Sequence, residues 1–468
     1  MRGIKANIEI LSKDEIERIH KGALKILERT GVSVPLRQCV ELCEKLGAVV
    51  DYDSMTVKIP PELMEEVLEL GRAQWKQEDS GEGFVRKPIG HIYTDIYIID
   101  YNTNTKRYGT LEDVMKGIAL VDSLENIQQS NAVVMPYDVP AGICEVTTHR
   151  IMYSYSQKPG GTYILTPESA GYIIEMSKVI NRKMIYALKV ISPLQFRKES
   201  LEMGLVFAQR GCELSLGPMV IGGATGPVTV AGILTLQTAE NLASLFMIYA
   251  MSGKPGRFYG GACHSMDLRT TMCSYGSPNQ ALLAMAIAQI GKYYGLLTSS
   301  NSALTDSLLP DYQCGFEKTS SVIMSCFAGN AGLGAQGMVG ADQGFSFEQL
   351  VLDNEWLNAF CYILDGINAD DEMIAADIVE NVGIGGTYLA EEHTVKHMKD
   401  SYWMPKNFTR LSFDAWKEQG SRTLLEKAHD YVEQVVKTKY PRVPVIDPSK
   451  YQELEYIEKD AVRSILEK

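Results

Sequence analysis

Apolar positions along this chain follow two different periods, and the switches between them mark out its parts. Over residues 12–31 (SKDEIERIHKGALKILERTG), Ile16, Ile19, Ala23, Ile26 and Leu27 recur at helical spacing behind a Ser12-x-x-Glu15 capping box, and Gly31 follows as a stop. A second helix is predicted through VELCEKLGA. Pro60-Pro61 opens a third, PPELMEEVLEL, because proline suits the first helical turn. Residues 1–90 therefore read as a helical N-terminal unit. Between 90 and 108 the pattern becomes HIYTDIYIIDYNTNTKRYG, a β-rich run broken at Asn102, Asn104 and Thr105, which suits a hairpin.

Further on, short apolar runs alternate with helical patterns. The runs are NAVVMPY (131–137), GTYILT (161–166), MIYALKVI (184–191), GPMVIG (217–222), GRFYGG (256–261), GLLTSSN (295–301) and NAGLGAQG (330–337). Strict alternation of this kind predicts an α/β protein with a parallel sheet, and its repeat number favours a closed (β/α)8 TIM barrel over residues 91–385. The eighth strand is expected at 95–101 or in a segment that periodicity does not mark. Beyond Gly385 the chain turns charged and helical again, so residues 386–468 read as a C-terminal helical extension that packs outside the barrel and helps form a homo-oligomer.

Composition narrows the function classes. The chain has 468 residues, 45% hydrophobic and 22% charged, enough to bury a large core. Its 58 acidic against 45 basic residues give a formal charge of -13, which opposes binding to phosphate backbones and argues against a nucleic-acid partner. The N-terminus lacks a signal-peptide pattern, and no run of about 18 apolar residues could cross a bilayer. The nine cysteines form no CxxC pair and read as reduced thiols. A cytoplasmic enzyme without a membrane partner is expected.

In such a barrel the chemistry sits where strands end, so the residues just after the apolar runs are the candidates: Tyr137, Asp138, Thr166, Gln195, Thr225, Tyr259, His264, Asn301 and Asp306. Between Asn301 and Lys318, Asp306, Asp311 and Glu317 concentrate acid, and Gln313 and Glu317 share a helical face. Carboxylates at a barrel mouth suit a cationic substrate, although one of them, such as Asp311, also suits a helix cap. Aromatic faces attract quaternary ammonium groups. Tyr97, Tyr137 and Tyr259 lie near predicted strand ends and are the candidates for an aromatic cage.

Two further motifs argue for less than their spacing suggests. Gly332-x-Gly334-x-x-Gly337, with Asp353 downstream, matches a dinucleotide fingerprint, yet Gly340 and Gly344 interrupt the helix that such a fingerprint must open. His393 and His397 stand at a zinc-binding spacing but lack the HExxH glutamate and a third ligand group, so no metal site is expected and His393 reads as structural or substrate-facing.

The segment Gly217–Thr270 (GPMVIGGATGPVTVAGILTLQTAENLASLFMIYAMSGKPGRFYGGACHSMDLRT) resembles a core block of the trimethylamine methyltransferase family. The likeness continues in order through ERTGVSV, LGAVVD, VKIPPELMEE, TDSLLPDYQCGFEK, FAGNAGLGAQG, LVLDNEW and GTYLAEEHTVKHMKDSYWMP. It departs at Asn279, where an acid is usual, and at Lys399, where arginine is common. The resemblance implies a (β/α)8 barrel that moves a methyl group from an amine to Co(I) of a partner corrinoid protein. Family members that use trimethylamine carry pyrrolysine in or near the glycine-rich stretch. This chain has only the twenty standard residues there, with Gly337 or Met338 at the corresponding place. The resemblance then implies a quaternary amine as donor, such as glycine betaine, proline betaine, carnitine or γ-butyrobetaine. No corrinoid motif of the DxHxxG kind stands in the chain, so no cofactor is expected to be tightly bound, and cobalamin would arrive on the partner protein. A substrate carboxylate would fall to a backbone amide or to His264. Alternatives are a corrinoid-dependent enzyme for a different methyl donor, a noncatalytic quaternary-amine-binding protein, and an unrelated lyase on the same fold.

Overall fold

The computed structural model of the chain describes residues 3–6, 8–75, 84–129, 131–330, 332–440 and 442–467. It is a mixed α/β protein in which about half of the residues are helical.

The first helix spans Lys13–Arg29. Ser12 Oγ accepts from Glu15 N at 3.3 Å, and Glu15 Oε2 accepts from Ser12 N at 2.8 Å, which completes the capping box. Ile16, Ile19, Ala23, Leu24 and Leu27 are buried on one face, and this face packs along Val230–Ser252. That helix is buried along most of its length, its polar Gln237, Glu240 and Asn241 included, and forms the spine of the larger core, which explains why its own pattern shows no polar stripe. Helices Arg37–Lys45 and Pro61–Gln74 complete the expected N-terminal set. Val32–Ser33 pairs antiparallel with Thr56–Lys58 and parallel with Gln195–Phe196, so the N-terminal unit extends a sheet that runs on through Ile185–Ile191 to Glu213–Gly217.

The expected hairpin is present, with Tyr97–Asp100 antiparallel to Thr105–Tyr108. Ile89–His91 is not part of it. It forms a separate strand, parallel to Ile127–Gln129 on one side and to Gly332–Leu333 on the other. Its three residues are too short to show a period, which is why the pattern does not mark it. Phe258–Asp267 pairs in parallel with Met219–Gly222 and with Leu297–Ser300. This strand carries Gly260 and Gly261 at positive φ, and a Cβ at Gly260 would stand 2.0 Å from Ser299 O. Only glycine lets the two strands approach this closely.

Among the described residues the strands fall into four sheets, and no closed barrel is detected. Two departures from the expected pattern account for the breaks. GTYILT forms no strand; it is tied to the neighbouring run NAVVMPY by the backbone bond from Ala132 N to Gly161 O, at 2.9 Å. Pro218, which has no N–H to give to a ladder, separates Glu213–Gly217 from Met219–Gly222. The run NAGLGAQG is reduced to the two-residue strand Gly332–Leu333, with Ala331 outside the described residues.

At the C-terminal end, Phe347–Leu364, Leu424–Lys439 and Pro448–Leu466 pack onto a second core with Leu111–Val121, Cys144–Tyr155 and Pro167–Val179. The short helices Asp371–Ile374, Ala376–Val382, Glu392–His397 and Phe413–Glu418 lie between them and bury none of their residues. No helix among the described residues is long and apolar enough to cross a membrane.

Candidate functional site

The loop after Ile89–His91 carries Tyr93 and Asp95 and is stitched to its neighbours by backbone bonds from Asp95 N to Val133 O and from Met135 N to Asp95 O. Opposite it lies the turn Val339–Gly344. Ala341 and Asp342 adopt positive φ there, and Asp342 is half-buried. Burial raises the Asp95 carboxyl well above the usual carboxylate range, the charge of Asp342 raises it further, and Lys318 opposes both. Burial alone pushes Asp342 up to about 6.

Three tyrosines surround these acids. Tyr93 rests over Gly334, where a Cβ would stand 2.4 Å from its ring. Tyr163 comes from the segment GTYILT, and Tyr275 from the loop after Met272–Ser274. Burial raises the phenols of all three, and in each the charge of Asp342 adds to the effect. Tyr93 is nonetheless 37% exposed and Tyr163 48% exposed. Side chains that meet water while protein surrounds them line a recess. A wet recess bordered by Asp342 and three aromatic rings, with the buried Asp95 behind them, is suited to an organic cation.

The glycine-rich stretch is held from below by a buried ion pair. Lys318 Nζ lies 2.8 Å from Asp353 Oδ2 and donates to Ala335 O and Met338 O, both at 2.9 Å. Asp353 accepts from Gly337 N at 2.7 Å and also from Gln349 and Trp356. Asp353 is therefore committed to the loop, and the dinucleotide-like spacing has a structural explanation.

The residues singled out from the sequence are placed as follows. His264 is fully buried. Its Nδ1 lies 2.7 Å from Gln280 Oε1 and its Nε2 3.5 Å from Asn301 Nδ2, and its ring packs 4.4 Å from that of Tyr275. Burial lowers its pKa to about 4, so the ring is neutral. With no exposed surface and both nitrogens engaged, it supports Tyr275 and is not free to take a carboxylate. Asn301 accepts from Gln280 through its backbone carbonyl.

Asp306 accepts from Ser274 Oγ at 2.8 Å and Tyr275 N at 2.6 Å. Glu317 accepts from Thr305 Oγ1, Asp306 N and Gln313 Nε2. These acids pin two loops together behind Tyr275, and Asp311 caps the helix Tyr312–Phe327 through Cys314 N.

Tyr97, Tyr108 and Tyr137 pack in a row of tilted rings, with centroids 5.0 and 4.2 Å apart. Tyr259 is not among them: it is 1% exposed, its hydroxyl meets Thr238 Oγ1 at 2.8 Å, and it belongs to the larger core. His393 lies among the short helices beyond Leu364, where it meets Glu372 O and packs on His397. No group of three or more His, Cys, Asp or Glu residues suited to a metal occurs among the described residues.

The recess residues Tyr93, Asp95, Tyr163, Tyr275 and Asp342 are absent from the sequence-based set. Reading 90–108 as one hairpin hides the strand end at His91, and the strand-end rule alone would have reached Tyr93 and Asp95. Asp342 sits in a turn between two-residue strands, where periodicity gives no signal.

The family model for trimethylamine methyltransferase (MTTB) matches residues 1–463. A glycine betaine methyltransferase of Desulfitobacterium hafniense strain Y51 is 26% identical over 462 residues, covering 94% of each chain. The trimethylamine methyltransferase MttB of Methanosarcina barkeri is 26% identical over 482 residues, covering 98% of this chain and 95% of its own. An MttB of D. hafniense strain DCB-2 is 24% identical over 434 residues, covering 90% and 87%.

Proposed function

Since the chain belongs to the trimethylamine methyltransferase family, and so is a methyltransferase acting on methylated amines, we propose that its donor is a quaternary amine of the betaine type and its acceptor Co(I) of a corrinoid carried by a separate protein. The observation that carries the choice of donor is the recess, where Asp95 and Asp342 face one another's charge among Tyr93, Tyr163 and Tyr275. The likeness to a glycine betaine methyltransferase supports the same reading.

We further propose that the four sheets are arcs of one (β/α)8 barrel over residues 91–385, extended at its start to include Ile89–His91, with helical additions at either end. The placement of Ile89–His91 between Gly332–Leu333 and Ile127–Gln129 supports this. The recess then lies at the mouth, beyond the C-terminal ends of the strands.

The corrinoid supplies the nucleophile that takes the methyl group. This chain's residues bind and orient the donor. A quaternary nitrogen already carries its positive charge and departs as a neutral tertiary amine with the bonding pair, so no general acid is needed. Asp95 and Asp342 balance the ammonium charge, the tyrosine faces hold the methyl groups, and one N-methyl is left pointing out of the mouth. The neutral, fully hydrogen-bonded His264 keeps Tyr275 in place.

The test is to follow the Co(I) absorbance of a reduced cognate corrinoid protein with this enzyme and glycine betaine, proline betaine, carnitine, γ-butyrobetaine and trimethylamine in turn. Loss of the Co(I) band is expected with a quaternary donor and not with trimethylamine. Loss with trimethylamine alone, or with none of the five, overturns the proposal.

A further inference from the structure

A second space adjoins the recess. A cavity of about 1020 Å³ lies between the segment Gly161–Leu165 and the strand Ile185–Ile191. Its lining includes Lys158, Arg182, Lys183, Lys189 and Arg197 and contains no Asp or Glu. Two of these cations are satisfied within the protein: Lys158 donates to Val121 O and Leu124 O, and Arg197 pairs with Glu199.

Lys189 is different. Along Ile185–Ile191, Tyr186, Leu188 and Val190 are buried in the core, while Ile185, Ala187, Lys189 and Ile191 face the cavity. Lys189 has open surface there, yet the surrounding protein lowers its pKa. Among the described residues its ammonium has no hydrogen-bond or ion-pair partner. It lies over the ring of Tyr163, whose centroid is 6.0 Å from Nζ. With no counter-ion and no acid in the cavity wall, this ammonium would be favourably neutralised by an anion entering the cavity.

Tyr163 is common to both spaces. The charges of Asp95 and Asp342 reach its phenol from the recess, and Lys189 stands over its ring from the cavity. Negative and positive groups are thus both near one aromatic ring.

We propose that Lys189 binds the carboxylate of a zwitterionic donor and thereby selects carboxylate-bearing quaternary amines over those without one. This rests on the reading of the recess as the ammonium site. The ammonium lies toward Asp95 and Asp342, and the carboxylate lies against Lys189 Nζ. A donor without the carboxylate brings its positive charge close to an unneutralised ammonium, which disfavours it.

The test is calorimetric titration of the wild-type enzyme, Lys189→Met and Lys189→Arg with three probes of similar shape. Glycine betaine carries both charges, choline only the ammonium, and 3,3-dimethylbutanoate only the carboxylate. Lys189→Met is expected to weaken glycine betaine and 3,3-dimethylbutanoate by about tenfold or more, to leave choline unchanged or tighter, and to be partly rescued by Lys189→Arg. Equal effects on all three probes, no effect on either carboxylate, or failure of both carboxylates to bind the wild type overturns the proposal. A wild type that binds 3,3-dimethylbutanoate as tightly as glycine betaine and ignores choline overturns the ammonium reading instead, and the carboxylate arms still decide the role of Lys189.

Discussion

Asp342 lies close enough to Asp95 for its charge to raise the Asp95 pKa, and burial raises both carboxyls. An organic cation between them favours the ionised forms, so its binding drives protons off. The affinity for a quaternary amine is therefore expected to rise with pH up to about 6, with proton release that calorimetry in buffers of different ionisation enthalpy detects. Asp342→Asn is expected to abolish most of the release near pH 6 and to weaken binding by about tenfold or more.

The same carboxyl bears on stability in the opposite sense. In the native protein Asp342 holds its proton up to about 6, whereas unfolded it loses it near 3.8. The stabilisation from this group is present below about 4 and is lost as the pH rises to 6. Without donor at pH 7, Asp342→Asn is expected to melt at a higher temperature than the wild type, the pattern of a site that trades stability for function.

Lys318 and Asp353 are both fully buried and bracket the glycine-rich loop. Lys318→Met leaves a buried carboxylate uncompensated and is expected to cost about 3–5 kcal/mol. Adding Asp353→Asn removes that charge while keeping an acceptor for Gly337 N, so denaturant melts should show part of the loss recovered.

His264 and His149 are buried and lowered to about 4. The unfolded chain takes up protons on them near 6.5, while the native rings resist until about 4, so each contributes to a loss of stability as the pH falls through that interval. Neither ring should titrate between pH 8 and 5 when followed by histidine-selective NMR.

Tyr163→Ala is expected to weaken quaternary-amine binding by about tenfold, and Tyr163→Phe to retain most of it, because the ring face and not the hydroxyl meets the cation.

Much of this was legible from periodicity and much was not. The capping box at Ser12 and the three N-terminal helices stand where their patterns place them, because each signal is local. The site escaped because it is assembled from places where local signals fail. Asp342 lies in a turn, Tyr93 and Asp95 follow a three-residue strand, and Lys189 is hidden in the apolar run MIYALKVI, where one lysine reads as noise within a strand. Asp306, Glu317 and His264 drew attention as reactive types near strand ends, yet the structure engages each of them in holding loops together. Residue type announces chemical capacity, while the neighbours decide whether that capacity is already used.

The parallel pairing of Ile89–His91 with Gly332–Leu333 also has a consequence for biosynthesis. The second strand leaves the ribosome about 240 residues after the first, which at about 5–20 residues per second is an interval of roughly 12–50 seconds. Throughout it the nascent chain carries an unpaired strand edge next to the future Tyr93 and Asp95. The segment that becomes one wall of the recess is thus open to wrong pairings during synthesis, and the yield of active enzyme should depend on translation speed and chaperone supply more than the stability of the finished fold suggests.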